Sequence, residues 1–502
     1  MNSLRDLRRQ LVERKYFFLL VIILCVGVYL SILDNAFVSD DVQGILENPQ
    51  IGNLSLTLKK FDLNVLLKDL VFLAFGKSPL AYHVVNLVLH ILATILVYFF
   101  VLILTEDYRL SSFATLLFAL HPIHTEAVTW ISGRGYVLYS VFFLLSFIFY
   151  HFSQPLPALI FYTLSLFSSA WALPLLIVFP LYGWYLRGKK FDWGFYLALL
   201  AVAGLNLFLV YRVGGITSRA LRGASVGGTR DYTITMPHSL TQYLYLVSWP
   251  IKLSFYREND LLTSTYILFS RVIASIFIFI LPLFFFLRKM KLALFFLLFF
   301  LASISLSLSP IKVGWYVAER YLYLGSISFC VLLAFLLLEV GEKLSRPHLA
   351  LILLLPILLL YFARTFIRND DWQSRESLWT VTVRDSPRSP RAHNNLGDVY
   401  GRKGDWKKAV VEFQTALKLK PNYAAPYHNL GIAYLNLGDF EIAKKYLLRA
   451  IELSPRYDSA YYVLGIISLK EGNSTEAQRH WEHCLEINPR NADCRWSLES
   501  LR

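Results

Sequence analysis

The stretch from Pro387 to Pro421 reads PRSPRAHNNLGDVYGRKGDWKKAVVEFQTALKLKP. Its first half carries Leu396, Gly397 and Tyr400, and its second half Ala409, Phe413 and Ala416. The same set returns twice. The second copy has Leu430, Gly431, Tyr434, Ala443, Leu447 and Ala450; the third has Leu464, Gly465, Ser468, Ala477 and Trp481, with Cys484 where the last Ala would fall. Pro387, Pro421, Pro455 and Pro489 each stand 34 residues after the one before. Small residues at fixed positions let two helices of one copy approach closely, and the large ones fill the groove of the next copy.

A 34-residue helix–turn–helix period with this pattern is the tetratricopeptide repeat. Residues 387–502 therefore read as three such repeats and a short capping helix, an α-solenoid whose concave face typically holds a peptide. The same module can also serve as a stiff spacer. Residues 364–386 read as a connector.

Upstream the composition changes. The chain has 502 residues, 56% hydrophobic and 17% charged, where soluble proteins have about 45–50% apolar and about 25% charged. The excess lies in residues 16–363, which are almost continuously apolar. Spans of about 20 apolar residues cross a bilayer, and about eleven candidates fit that measure loosely: 16–33, 79–104, 110–122, 134–151, 156–170, 172–186, 193–211, 268–287, 291–308, 320–339 and 347–363. The fold class is all-α: a polytopic helical membrane domain over 1–363, followed by the solenoid. Tyr16–Leu33 is followed by Asp34-Asn35-Ala36-Phe37, which lacks a small-residue cleavage site, and so reads as an uncleaved first membrane helix rather than a signal peptide.

With the N-terminus in the cytosol, Lys and Arg are about threefold denser in the inside stretches than outside. The C-terminal repeats then lie outside, in a periplasm, an organelle lumen or the extracellular space. The net charge of +14 is explained by those loops; no basic cluster sits on a nucleic-acid fold, so no nucleic acid is expected as a partner. The lipid bilayer is. Leu63–Phe75 reads as an amphipathic helix on the membrane surface. Cys25 and Cys330 lie in apolar segments as packing residues. Cys484 and Cys494 can pair if their compartment is oxidising.

Ionisable residues at membrane depth are costly and mark function by default. Asp40 and Asp41 follow the first span; adjacent carboxylates raise each other's pKa and can serve as a general base or hold a divalent cation such as Mg²⁺ or Mn²⁺. The plain alternative is a solvated turn. His121 and His124 stand three apart with Glu126 two further on; Pro122 between them rules out a regular helical zinc pair, and an interfacial hydrogen-bonding cluster suits them better. Arg134, at the outer end of the fourth span, suits a phosphate or an interface anchor. Lys312, Glu319 and Arg320 precede the tenth span, and Arg320 can bind phosphate or form a structural ion pair with Glu319. All these groups fall on one side of the membrane. Their convergence suits transfer chemistry on an amphiphilic, phosphate-bearing substrate.

Several stretches resemble the transmembrane and tetratricopeptide-repeat O-mannosyltransferase family and its prokaryotic relatives, within the GT-C membrane glycosyltransferases. They are Phe37-Val38-Ser39-Asp40-Asp41 with Asn48-Pro49, Pro79-Leu80 with Asn86 and His90, Leu117 to Val128 (LFALHPIHTEAV), Ile131-Ser132-Gly133-Arg134, Ala318 to Tyr323 (AERYLY), and Arg368-Asn369 with Trp372. The resemblance implies transfer of a sugar, mannose or another hexose, from a polyprenyl-phosphate donor to protein Ser or Thr hydroxyls on the non-cytosolic face. It implies Asp40 or Asp41 as the base of an inverting displacement, and Arg134 or Arg320 steadying the lipid phosphate beside His121, His124, Glu126, Lys312 and Glu319. The repeats would engage the acceptor. A bacterial inner membrane, or the endoplasmic reticulum membrane in a eukaryote, is the expected location. One departure stands out: relatives usually carry a Lys-Glu pair before the Leu-Pro of the sixth span, and here Phe167-Ser168-Ser169-Ala170-Trp171-Ala172 precedes Leu173-Pro174. That departure keeps open a catalytically silent scaffold that recruits partners through its repeats.

Overall fold

The structure is a computed structural model and describes residues 3–213, 232–257, 265–309 and 315–501. Among these residues the regular structure is helical, with no strand. Two compact units divide the chain, Met1–Arg375 and Glu376–Arg502.

In the first unit a basic helix, α1 (Leu4–Glu13), passes through Arg14 into α2 (Lys15–Tyr29). Two short helices follow the Asp40–Asp41 loop: α3 (Leu54–Leu58) and α4 (Leu63–Phe75). Each starts at a side-chain cap, Asn53 accepting from the Leu56 N–H and Asp62 from the Val65 N–H, which satisfies amides that the first turn leaves orphaned. The long α5 (Pro79–Thr105) comes next, then α6 (Tyr108–Leu120), the single-turn α7 (Thr125–Thr129), α8 (Arg134–His151) and α9 (Pro155–Ser168). Residues 170–186 form a succession of tight and wide turns instead of one helix. Pro174 and Pro180 lie in that run and lack the N–H a regular ladder needs. The remaining helices are α10 (Trp193–Val213), α11 (Tyr232–Ser248), α12 (Thr265–Leu287), α13 (Lys291–Leu308), α14 (Ser326–Lys343) and α15 (Pro347–Asp370).

Among the described residues, six helices are long and apolar enough to cross a membrane, and four shorter apolar ones accompany them. The sequence count of about eleven treated every apolar run alike. Several runs, 156–170 and 172–186 among them, fold as short or interrupted helices. The second half of α5 is the centre of the unit: every residue from Leu96 to Leu104 is buried, so this stretch is covered on all sides by other helices. Its first half is different. Val84, Val88 and Leu92 are exposed at four-residue spacing, a stripe suited to lipid.

The second unit opens with α16 (Arg375–Asp385). Three helix pairs follow: α17 (Pro390–Arg402) with α18 (Trp406–Leu419), α19 (Ala424–Leu437) with α20 (Phe440–Leu453), and α21 (Asp458–Lys470) with α22 (Ser474–Ile487). A capping helix, α23 (Ala492–Ser500), closes the stack. The second helix of each pair is capped by Asp405, Asp439 or Asn473 at its N-terminus. The repeat glycine is set by close approach: a Cβ on Gly397 would meet the Phe413 ring at 2.6 Å, and one on Gly431 would meet Leu447 at 2.5 Å. Cys484 and Cys494 form a disulfide between α22 and α23.

Candidate active site

Asp40 and Asp41 are adjacent but meet different surroundings. Ser39 adopts φ 50°, a left-handed conformation that costs a non-glycine residue energy and marks a constrained turn. Beyond it Asp41 is buried and Asp40 is exposed. One Asp41 oxygen accepts from the Ser132 N–H at 2.9 Å and, by a short contact, from the Ser132 hydroxyl; the other accepts from the Val38 N–H at 3.5 Å. Burial is the main reason its pKa rises to about 7, with Asp40's like charge adding to it and the Ser132 and Val38 donors opposing it. The pKa of Asp40 is raised as well, first by the surrounding protein, while the Arg320 charge and the Ser39 hydroxyl pull it down. Asp40 is thus open to solvent, where an incoming hydroxyl can reach it, while the surrounding protein raises its pKa.

A second strand of contacts starts at Glu126. Its carboxylate accepts from the Arg320 N–H at 2.9 Å and pairs closely with the Arg320 guanidinium. That guanidinium lies over three aromatic faces, 5.4 Å from Trp130, 5.7 Å from Tyr136 and 4.9 Å from Tyr321. Glu319 faces Arg368 instead, at 3.4 Å, and Arg368 reaches Asp371 at 2.7 Å. The expected Glu319–Arg320 pair is thus replaced by two crossed pairs, because neighbours in a tight turn point apart. Gly133 is essential to this packing: a Cβ there would stand 2.6 Å from the Glu126 carbonyl oxygen. Arg134 is 1% exposed and donates to the Asn64 side chain and carbonyl at 3.2 and 3.1 Å, with its remaining terminal nitrogen, Nη1, left without a partner.

His121 and His124 do not join this group. Both are fully buried. His121 Nε2 bonds the Val247 carbonyl at 2.9 Å, and His124 Nε2 meets the Ser326 hydroxyl at 2.8 Å. They fasten helices together, and the interfacial hydrogen-bonding cluster expected of them is an interior one. Lys312 lies outside the described residues. As for a divalent cation, both Asp41 oxygens already take donors, and among the described residues no three His, Cys, Asp or Glu side chains come together as ligands.

Spacing gave no role to several residues that build the site. Ser132 fixes Asp41, and Asn64 holds Arg134. Asn369 donates to the Val28 carbonyl at 2.8 Å, accepts from the Thr129 hydroxyl at 2.9 Å, and through its own carbonyl meets Asn35 at 3.4 Å. Gln373 adds a backbone bond to Ala36 at 3.0 Å. The end of α15 thereby clasps both the Asp40 loop and α7. At the departed Lys-Glu position, Trp171 stacks on Tyr321 with ring centroids 4.0 Å apart, extending the aromatic wall beside Arg320.

Comparison with known proteins follows the two units. Family models described as TPR repeat and tetratricopeptide repeat match residues 400–438, 424–457 and 458–491. Protein O-mannosyl-transferase F38B6.6 of Caenorhabditis elegans is 27% identical over 419 residues, covering 77% of this chain and 60% of that protein. Protein O-mannosyl-transferase TMTC3 of Homo sapiens is 28% identical over 464 residues, covering 75% of this chain and 49% of that protein. Protein O-mannosyl-transferase TMTC2 of Homo sapiens is 49% identical over 75 residues, 15% of this chain and 9% of that protein. The chain spans about half the length of the curated relatives it matches. It is a helical membrane protein with tetratricopeptide repeats, and its homologues are protein O-mannosyl-transferases of the transmembrane and tetratricopeptide-repeat family.

Proposed function

We propose that this chain transfers mannose, or a closely related hexose, from a polyprenyl-phosphate donor to Ser or Thr hydroxyls of proteins on the non-cytosolic face of its membrane. The observation that carries the reading is the split between the two carboxylates: Asp41 is buried and held by Ser132, while Asp40 is exposed within range of the Arg320 charge. Asp40 is the base. It takes the proton of the acceptor hydroxyl as that oxygen attacks the anomeric carbon from the face opposite the donor phosphate. The bond from the anomeric carbon to the phosphate oxygen breaks, and polyprenyl phosphate leaves with the electron pair. Arg320 and Arg134 stabilise the charge that gathers there, since fixed cations in a low-dielectric site lower the barrier most.

That the homologues are protein O-mannosyl-transferases supports the sugar and the protein acceptor. The disulfide between Cys484 and Cys494 supports a repeat unit outside the cytosol, because such bonds persist in oxidising compartments. The repeats engage the acceptor through their concave face. The membrane is the bacterial inner membrane, or the endoplasmic reticulum membrane in a eukaryotic host. The test is transfer by the purified full chain in nanodiscs, with polyprenyl-phosphate mannose and a Ser/Thr-rich acceptor, read as hexose mass on the peptide. Transfer that is lost in Asp40→Asn supports the reading. A well-folded chain that transfers no hexose from any polyprenyl-phosphate donor, yet still binds secretory proteins through its repeats, would establish the scaffold that the missing Lys-Glu pair suggests.

A further inference from the structure

Between the α3–α4 turn and α9 lies a cavity of about 630 Å³, within the range of small-ligand sites. Its walls are apolar: Leu58, Phe61, Leu63 and Leu66 on one side, Leu164 and Phe167 on the other. Lys59 and Asp62 stand among its polar lining. Leu58 and Phe61 are 58% and 51% exposed, so the apolar wall continues to the outside of the unit, where lipid tails surround a membrane protein. Phe61 has φ 49°, a genuine outlier for a bulky side chain, and its ring lies 6.1 Å from that of Phe167. Such strain persists only where the surroundings impose it, and it collects at ligand clamps and active sites. On the inner side, Asn64 directly follows the cavity residue Leu63 and holds Arg134, whose buried Nη1 has no partner. The apolar walls are thus linked to an unsatisfied guanidinium in two ways, through Asn64, the neighbour of the wall residue Leu63, and through the charge of Asp62 in the lining, with which Arg134 interacts as it does with Asp41.

We infer that this cavity seats the apolar chain of the lipid-linked sugar donor, with the phosphate at Arg134 and Phe61 and Phe167 clamping the first segment of the chain. The inference rests on the proposed transferase reading and adds where, on this chain, the donor lipid lies. Leaving a buried guanidinium nitrogen unpaired is costly, and a phosphate oxygen satisfies it bidentately or singly. The chain contributes apolar burial in proportion to the area it covers.

The test uses the full chain in nanodiscs and two photoreactive probes of similar reach, a polyprenyl phosphate and a phosphatidylglycerol, each labelled in the chain near the head. The polyprenyl probe is expected to crosslink peptides carrying Leu58–Leu66 and Leu164–Phe167, and unlabelled polyprenyl phosphate is expected to compete. Leu164→Trp, which fills the cavity, is expected to cut that crosslink and to raise KM for a long-chain donor at least about tenfold with kcat kept. Ile160→Trp, which puts the same side chain on an exposed position of α9 outside the cavity lining, serves as the control and is expected to retain the crosslink. Equal labelling by the phosphatidylglycerol probe with no competition would mean a bilayer acyl chain fills the cavity and would overturn the inference. Polyprenyl crosslinks that map elsewhere while transfer proceeds would overturn it and leave the transferase reading standing. Competed crosslinking here without any hexose transfer would sustain the lipid site and count against the transferase reading alone.

Discussion

Asp40→Asn keeps the size of the side chain and removes its capacity to accept a proton. A positioned general base contributes about 10²- to 10⁴-fold, or about 2.7–5.4 kcal/mol of barrier. The structure points to the upper part of that range, because the adjacent carboxylate, Asp41, already accepts through both oxygens from Ser132 and Val38. Asp41→Asn is expected to behave differently. Its amide oxygen can still accept from Ser132, so the loss is that of charge assistance on buried hydrogen bonds, about 0.5–1.5 kcal/mol each, and a fall in kcat of about tenfold. The assay is steady-state hexose transfer by the full chain in nanodiscs, with kcat and KM measured separately across pH. Wild-type activity is expected to fall on the acid side as Asp40 becomes protonated, at a pH above the ordinary carboxylate value of 3.8 because its surroundings raise the pKa. Asp40→Asn should flatten that limb. Near-wild-type turnover in Asp40→Asn together with a dead Asp41→Asn would refute the assignment and exchange the two roles.

Glu126→Ala leaves the Arg320 guanidinium buried without its carboxylate, and should destabilise the membrane unit by about 3–5 kcal/mol; thermal unfolding in detergent that moves by less than about 1 kcal/mol would show the pair to be dispensable. Cys484→Ser with Cys494→Ser opens a loop of sequence separation 10 and should cost about 2–3 kcal/mol locally. Hydrogen exchange should therefore speed up in α23 while α17–α20 keep their protection. Burial lowers the pKa of His393, but its bond to Glu412 at 2.6 Å, its bond to the Pro387 carbonyl at 3.0 Å and the Glu412 charge together outweigh it, so its folded pKa lies above 6.5. The stabilisation is fully present below pH 6.5 and is lost as pH rises through the folded pKa. Unfolding of the repeats should shift down over that interval, and His393→Gln should remove the pH dependence.

The repeats were legible because their packing is local. The prolines at 34-residue spacing and the glycine opposite Phe413, Leu447 or Trp481 are consequences of two helices meeting within one copy, and each copy writes the same rule again. The candidate site was legible in part. Asp40, Asp41, Arg134 and Arg320 stand out because charge near a bilayer is costly, and the structure brings them into one electrostatic neighbourhood. Their division of labour was not readable. It depends on Ser132, 91 residues from Asp41, and on Glu126, 194 residues from Arg320. For His121 and His124 spacing suggested a hydrogen-bonding cluster but not its depth: the two rings, 5.7 Å apart, are buried and bond the Val247 carbonyl and the Ser326 hydroxyl. Hydropathy marked the apolar runs but did not register that Pro174 and Pro180 interrupt one of them.

The clasp at the end of α15 has a consequence in time. Asn35 meets the carbonyl of Asn369, 334 residues later in the chain. A ribosome adding about 5–20 residues per second needs roughly 17–70 s to travel between them. Throughout that interval the Asp40 loop and α7 exist without the residue that ties them together. The loop that carries Asp40 and Asp41 is therefore fastened to α7 only after α15 has been made, and a nascent chain stalled before Asn369 holds these groups without their tie.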